Sequence, residues 1–231
     1  MSNSSLVSFR KISPNKSSPR NHKIDTITIH CVEGQCSIET IGDIFAPRGR
    51  KASSNYGVGP DGRVGMYVEE KDRSWRSSSS LNDNRAITIE VASDTKNPYA
   101  VTDAALAGVI KLCADICKRN GIRKLVWSTD KNKRVKHLNG CNMTVHRDYA
   151  NKSCPGEYLY GKHAYIAAEV NKLLGAKETT KKKSVAKKPV VKKSDTKKKS
   201  VVKKKSVTDI AKEVIAGKWG NGDTRKKKLY S

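Results

Sequence analysis

The pattern that decides the fold of this chain is an alternating run at residues 26–30, Thr26-Ile27-Thr28-Ile29-His30. In a β-strand its two isoleucines would lie on one face, and Thr28 and His30 on the other. A second run, Ala86-Ile87-Thr88-Ile89-Glu90-Val91, repeats the arrangement. If the two strands share a sheet, His30 and Glu90 face one cleft.

Turn and helix signals surround these two strands. The other elements that we expect are a hairpin around Pro60-Asp61-Gly62, helices over 37–45, 102–120 and 156–174, and a short strand over 125–128. In the last helix we expect Tyr165, Ile166, Val170 and Leu173 to face inward. The sum predicts an α/β fold, a single domain with a mixed central β-sheet flanked by helices.

Charge is concentrated at the C-terminal end of the chain. The 231 residues include 47 Lys and Arg against 22 Asp and Glu, and residues 177–231 hold 20 of the former and 5 of the latter, a net charge of +15. Over residues 176–206, lysine runs separated by Ser, Thr and Val cannot bury a core and predict a disordered basic linker. An acidic polymer is the natural partner of such a segment.

The first 23 residues are polar and predict a flexible N-terminal arm. They contain no apolar run of the length that a signal peptide needs, and no segment of the sequence could span a membrane. We therefore expect no membrane insertion, and accumulation in the cytoplasm with the six cysteines reduced.

A metal-binding pattern stands near the end of the predicted domain. His146 and Cys154 lie eight residues apart, with Lys152 between them and Pro155-Gly156 after them. A neutral imidazole and a thiolate are good zinc ligands, and a catalytic zinc site takes three protein ligands and keeps one position open. His30, at the end of the first strand, offers the third. The remaining histidines and cysteines suit ordinary surface or core positions: His22, His137, His163, Cys31, Cys36, Cys113, Cys117 and Cys141.

Together these pieces resemble the zinc-dependent N-acetylmuramoyl-L-alanine amidases, the family of the amidase-type lysozyme of T-odd coliphages and of peptidoglycan recognition proteins. The resemblance covers about residues 24–175, which we expect to form the catalytic domain. It implies a Zn²⁺ cofactor held by His30, His146 and Cys154. It also implies hydrolysis of the amide bond between N-acetylmuramic acid and L-alanine in peptidoglycan by a zinc-activated water.

Three further residues are candidates for catalysis. Strand alternation places Glu90 beside His30, where it can act as general base. Lys152 can stabilise the oxyanion. Tyr56 matches a tyrosine of the phage branch, which relies on tyrosine and lysine, whereas other members pair a strand glutamate with the lysine. Because all three are present, the sequence does not choose between these mechanisms. Trp75-Arg76 replaces a common Trp-His pair and concerns substrate contacts rather than zinc.

Residues 207–231 resemble the opening of a helical cell-wall-binding repeat found in many phage lysins, here truncated. The resemblance implies a phage or prophage endolysin that stays in the host cytoplasm until lysis and then acts on the cell wall. The basic tail would add attraction to anionic wall polymers.

Three other functions compete with this one. A Cys/His peptidase would use Cys154 as nucleophile, but the flanking Lys152 and Pro155-Gly156 give that role no support. A non-catalytic peptidoglycan-binding protein would not need the full ligand set. A nucleic-acid binder acting through the lysine-rich tail would bind with strong salt dependence, but it leaves the His/Cys pattern unexplained, so nucleic acid is not expected as the specific partner.

Overall fold

The computed structural model describes residues 2–175, and within them a six-stranded mixed sheet has the order β1-β5-β4-β7-β3-β8. The strands are β1 Val7–Arg10, β2 Lys16–Ser17, β3 Thr26–Cys31, β4 Tyr56–Val58, β5 Val64–Met66, β6 Arg73–Ser74, β7 Ala86–Val91 and β8 Met143–Thr144. The helices are α1 Ile38–Phe45, α2 Ser80–Arg85, α3 Asp103–Arg119, α4 Lys131–Val135 and α5 Gly156–Leu173. The predicted α/β class is confirmed. The predicted linker over 176–206 and repeat over 207–231 lie outside the described residues.

The two alternating strands are neighbours at the centre of the sheet. β3 and β7 run parallel, and His30 lies directly opposite Glu90. On the other side of β3 the short strand β8 pairs over two positions, with Thr144 opposite Thr28. Apart from the antiparallel pair β4–β5, which forms the predicted hairpin, the pairs of this sheet are parallel. The polar faces of β3 and β7 therefore coincide, as the alternation predicts.

The isoleucine face of the sheet packs on α3 and α5. Ile27, Ile29, Ile87 and Ile89 are fully buried in one cluster with apolar residues of both helices. Thr102 caps α3 as expected, because its hydroxyl accepts a hydrogen bond from the Ala105 N–H at 3.0 Å. None of the helices among residues 2–175 combines the length and apolar character that crossing a bilayer requires.

The buried stripe of α5 differs from the prediction. Ile166 and Val170 are buried, but Tyr165 and Leu173 are about half exposed. The buried positions of this helix are Gly156, Leu159, His163, Ile166, Ala167 and Val170. They follow helical spacing, and Tyr165 and Leu173 fall beside that stripe rather than on it.

The prediction of a flexible N-terminal arm is wrong for residues 2–23. Val7–Arg10 forms the edge strand β1 beside β5, and Lys16–Ser17 pairs with β6. Arg20 is 6% exposed, and its guanidinium donates to five backbone carbonyls, those of Glu70, Asp72, Asp83, Asn84 and Ala86. A polar composition does not reveal such pairing, because the partners lie some fifty residues or more away in the sequence.

The expected strand over 125–128 does not form. Side-chain amides take the place of a neighbouring strand there: the Leu125 N–H donates to Asn171 Oδ1 at 2.8 Å, and the Val126 N–H donates to Asn142 Oδ1 at 2.8 Å. Every buried backbone group needs a partner. Because asparagine side chains supply most of the partners here, the segment does not join the sheet ladder.

Candidate metal centre and active-site cleft

The structure brings the three predicted metal ligands together. His30 stands at the end of β3, His146 begins the 3₁₀ turn after β8, and Cys154 precedes α5. Their ligand atoms all lie within 4.8 Å of one another, and Cys154 Sγ is 3.3 Å from His30 Nδ1. All three residues are buried, with exposed fractions of 6% or less. They form one compact group on the polar side of the sheet.

The group fits zinc in its chemistry, and the contact between Cys154 and His30 fits the spacing of zinc ligands. With Zn–N at about 2.0–2.1 Å and Zn–S at about 2.3 Å, tetrahedral ligand atoms lie roughly 3.3–3.8 Å apart. The 3.3 Å contact between Cys154 and His30 falls in that range. His146 Nδ1 is buried without a hydrogen-bond partner, which is rare for a buried polar atom and suits a ligand role. Burial, with Arg76 nearby, lowers the pKa of His30 well below its usual range, so its ring is neutral as metal binding requires.

A serine orients the second histidine. His146 Nε2 hydrogen-bonds to Ser78 Oγ at 2.9 Å, which leaves Nδ1 for the metal. Ser78 has a left-handed backbone, with φ of 63°. Asp83 holds the same loop, because its carboxylate accepts from the backbone N–H of Arg76 at 2.9 Å and of Ser77 at 3.1 Å. The sequence interpretation missed Ser78, since a contact between positions 68 residues apart leaves no local signal.

Glu90 lies on the metal side of the sheet, next to His30 on the neighbouring strand. It is 1% exposed and forms an ion pair with Arg76. Burial raises the pKa of Glu90 to about 7, and Arg76 opposes that rise. The sequence analysis related Arg76 to substrate contacts. In the structure Arg76 contacts Glu90 directly.

A cleft of about 410 Å³ opens beside the metal group. Among its lining residues are His146 and Lys152, so the structure places the predicted oxyanion-stabilising lysine in the same cleft as a metal ligand. Lys152 is exposed and has no carboxylate partner within residues 2–175. Arg76, Arg73 and Lys51 also line the cleft, which makes its wall strongly cationic.

Tyr56 is not part of this site, and the prediction that it acts at the metal is wrong. Tyr56 is opposite Ile89 in the β4–β7 pair, so its side chain lies on the apolar face, away from Glu90. It is fully buried, and its hydroxyl donates to Glu70 Oε1 at 2.7 Å. The next residue, Gly57, is the one opposite Glu90.

The other histidines stay outside the group, as expected. His163 is buried in α5 against Trp127, with Nδ1 at 2.6 Å from the Leu159 carbonyl. His22 Nδ1 contacts the Lys23 carbonyl at 2.7 Å, and His137 Nδ1 contacts the Cys141 carbonyl at 3.1 Å. All six cysteines are free thiols.

Solved structures with the same fold include amidases and endolysins. The structure of PlyL aligns with a TM-score of 0.54 at 13% identity, over 74% of this chain and 97% of that one. A selenomethionine AmpD derivative aligns with a TM-score of 0.52 at 16% identity, over 72% and 99%. The endolysin N-acetylmuramoyl-L-alanine amidase LysCS from Clostridium intestinale URNW gives 0.51 at 18% identity, over 71% and 93%. At these identities the alignments establish a shared fold.

Two family models match this sequence, one over residues 20–157 and one over residues 208–231. A model described as the CW_7 repeat matches residues 208–231. A search of curated protein sequences finds no match. The model described as N-acetylmuramoyl-L-alanine amidase matches residues 20–157, which include the two histidines and the cysteine of the metal group. The chain therefore belongs to the N-acetylmuramoyl-L-alanine amidase family.

Proposed function

We propose that this amidase hydrolyses the bond between N-acetylmuramic acid and L-alanine of peptidoglycan with a zinc ion held by His30, His146 and Cys154. The observation that carries the proposal is the convergence of these three ligands within 4.8 Å at the edge of a cleft. When bound, zinc lowers the pKa of a coordinated water and polarises the scissile carbonyl.

Three neighbouring side chains have the other catalytic roles. Glu90 takes the proton of the attacking water, since it lies on the metal side of the sheet in line with His30. Arg76 pairs with Glu90 and fixes the direction of its carboxylate. Lys152 reaches the cleft from the loop before Cys154 and stabilises the charge that develops on the carbonyl oxygen.

The main alternative function is that of a Cys/His peptidase, because Cys154 Sγ contacts His30 Nδ1. A nucleophilic cysteine is partly exposed and has a lowered pKa. Cys154 is 5% exposed, and a hydrogen bond with Cys31 together with burial raises its pKa well above the usual range. These properties favour a metal ligand, whose thiolate the cation would stabilise.

The chemistry of the cut is tested by mass spectrometry of peptidoglycan digested with the protein. We expect free stem peptides that begin with an L-alanine amino terminus and glycan strands that keep an intact lactyl group. New peptide termini inside the stem would instead indicate a peptidase, and new reducing sugar ends would indicate a glycosidase. Peptidoglycan that binds the protein but remains uncut would support a non-catalytic binding role.

We further propose that the protein is a phage or prophage endolysin that stays in the host cytoplasm until lysis. Support comes from its family, from the shared fold with solved endolysins and from the CW_7 repeat match at residues 208–231. We divide the chain into the catalytic domain at 24–175, a lysine-rich linker at 176–206 and a truncated wall-binding repeat at 207–231.

The tail is expected to act through its charge. Residues 177–231 carry 20 basic and 5 acidic side chains, and binding by such a segment to anionic wall polymers weakens steeply with salt. Deleting them should leave hydrolysis of a small soluble muropeptide unchanged and weaken binding to whole cell walls at low ionic strength. Sedimentation with cell walls across a salt series measures this. Equal wall binding by both forms at every salt concentration would show that the tail contributes nothing.

A further inference from the structure

Three buried side chains form a closed ring of hydrogen bonds behind the metal group. Asn82 Nδ2 donates to Thr28 Oγ1 at 3.0 Å, and Thr144 Oγ1 donates to Asn82 Oδ1 at 3.0 Å. The two threonine hydroxyls are 2.7 Å apart. Thr28 and Thr144 are fully buried and Asn82 is 3% exposed. The ring is therefore shielded from bulk solvent, and it joins α2 to β3 and to β8.

The direction of every hydrogen bond in this ring follows from the chemistry. The Thr144 hydroxyl hydrogen is given to Asn82, so the Thr28 hydroxyl must donate to Thr144. The Thr28 oxygen in turn accepts from the Asn82 amide. Each member donates once and accepts at least once, which makes the ring cooperative. Asparagine is suited to its position because it offers a donor and an acceptor on one short side chain.

The ring touches β3, which carries His30, and β8, which leads into the 3₁₀ turn that begins at His146. Thr28 lies two residues before His30, and Thr144 lies two residues before His146. Side chains two apart on a strand share a face, so Thr28 and His30 point to the same side of β3. The backbone ladder between β3 and β8 spans two pairs, and the second of them is Thr28 with Thr144. So short a ladder fixes register weakly by itself, and the ring adds three hydrogen bonds at its end.

We propose that Thr28, Asn82 and Thr144 are positioning residues that set the affinity of the metal centre for zinc by holding His30 and His146 in register. Tyr149, three residues after His146, adds a further bond, because its hydroxyl donates to Asn82 Oδ1 at 3.1 Å. This inference rests on the proposed zinc site. It goes beyond that site because none of the three ring residues belongs to the ligand group.

The test compares substitutions that keep or remove single hydrogen bonds at constant shape. Thr28→Val removes a hydroxyl, and Thr28→Ser keeps it. Asn82→Asp keeps the shape but replaces the donor with an acceptor, so only two hydroxyl hydrogens remain for the three contacts and the ring loses one hydrogen bond. The matched control is Thr88→Val: Thr88 lies opposite Thr28 on β7 and is equally buried, but its hydroxyl bonds to Ser74 and Asn55 instead.

Zinc affinity is measured by competition with a chromophoric chelator on the folded full-length variants, and ligand geometry by the absorption spectrum after Co²⁺ substitution. We expect Thr28→Val and Asn82→Asp to bind zinc about 10- to 100-fold more weakly, the usual loss for residues behind the ligands. Their cobalt spectra should shift. Thr28→Ser and Thr88→Val should bind zinc like the natural protein, although Thr88→Val should lower the melting temperature.

Two results would overturn the proposal. One is unchanged zinc affinity and an unchanged cobalt spectrum in both Thr28→Val and Asn82→Asp. The other is an equal loss of affinity in Thr88→Val, which would assign the effect to general loss of stability. Zinc stoichiometry and amidase activity of the natural protein are measured first. If it binds no zinc, the proposed function fails; if it binds zinc and is active while the ring variants are unaffected, only the positioning role fails.

Discussion

Substitution of Cys154 by alanine should leave the protein without stoichiometric zinc and reduce amidase activity by at least about 10³-fold, and His30→Ala and His146→Ala should do the same. A metal ion contributes several kcal/mol of transition-state stabilisation, and about 4 kcal/mol corresponds to 10³ in rate. Because the ligand set has three members within 4.8 Å, two remaining ligands cannot close the site.

The measurement is metal content by atomic emission together with turnover of purified peptidoglycan. Cys36→Ala and His22→Ala are the matched controls, because both residues lie outside the metal group and should keep one zinc per chain and full activity. Removal of zinc from the natural protein by a chelator should abolish lysis, and added zinc should restore it. Stoichiometric zinc in all three ligand variants would disprove the ligand assignment.

The metal group could be predicted because its signals are local. Strand alternation fixes the face of His30 and Glu90, and β3 and β7 pair in the register that joins them. His146 and Cys154 are close in sequence, so the short segment between them limits how far apart they can be. The fold class followed from these two runs together with the turn and helix signals around them.

Two features could not be predicted from the sequence: the face on which Tyr56 lies, which depends on strand register, and the hydrogen-bonded ring, which joins residues far apart in the chain. Tyr56 and Gly57 are adjacent, and the choice of which one lies opposite Glu90 decides which of them faces the metal. A shift of one residue reverses every side chain of a strand. The ring of Asn82 with Thr28 and Thr144 joins positions 54 to 116 residues apart. No periodicity within a single element encodes such contacts.

Replacing Glu90 with glutamine should keep zinc bound and lower kcat by about 10²- to 10⁴-fold, the usual contribution of a general base. Glutamine retains the shape of glutamate but cannot take a proton from water. It also leaves Arg76 without its carboxylate partner, which is costly for a largely buried cation. The variant should therefore melt at a lower temperature, and kcat is compared at a temperature where circular dichroism shows both proteins folded.

Tyr56→Phe separates the two mechanisms that the sequence left open. It removes the hydroxyl that donates to the Glu70 carboxylate and accepts from the Ser4 N–H, so the free energy of unfolding should fall by about 1.5–3 kcal/mol. Its turnover should match that of the natural protein, because Tyr56 lies on the opposite face of the sheet from Glu90. Near-normal turnover in Glu90→Gln together with an inactive but folded Tyr56→Phe would reverse the assignment. It would require the tyrosine hydroxyl to reach the metal in the working enzyme.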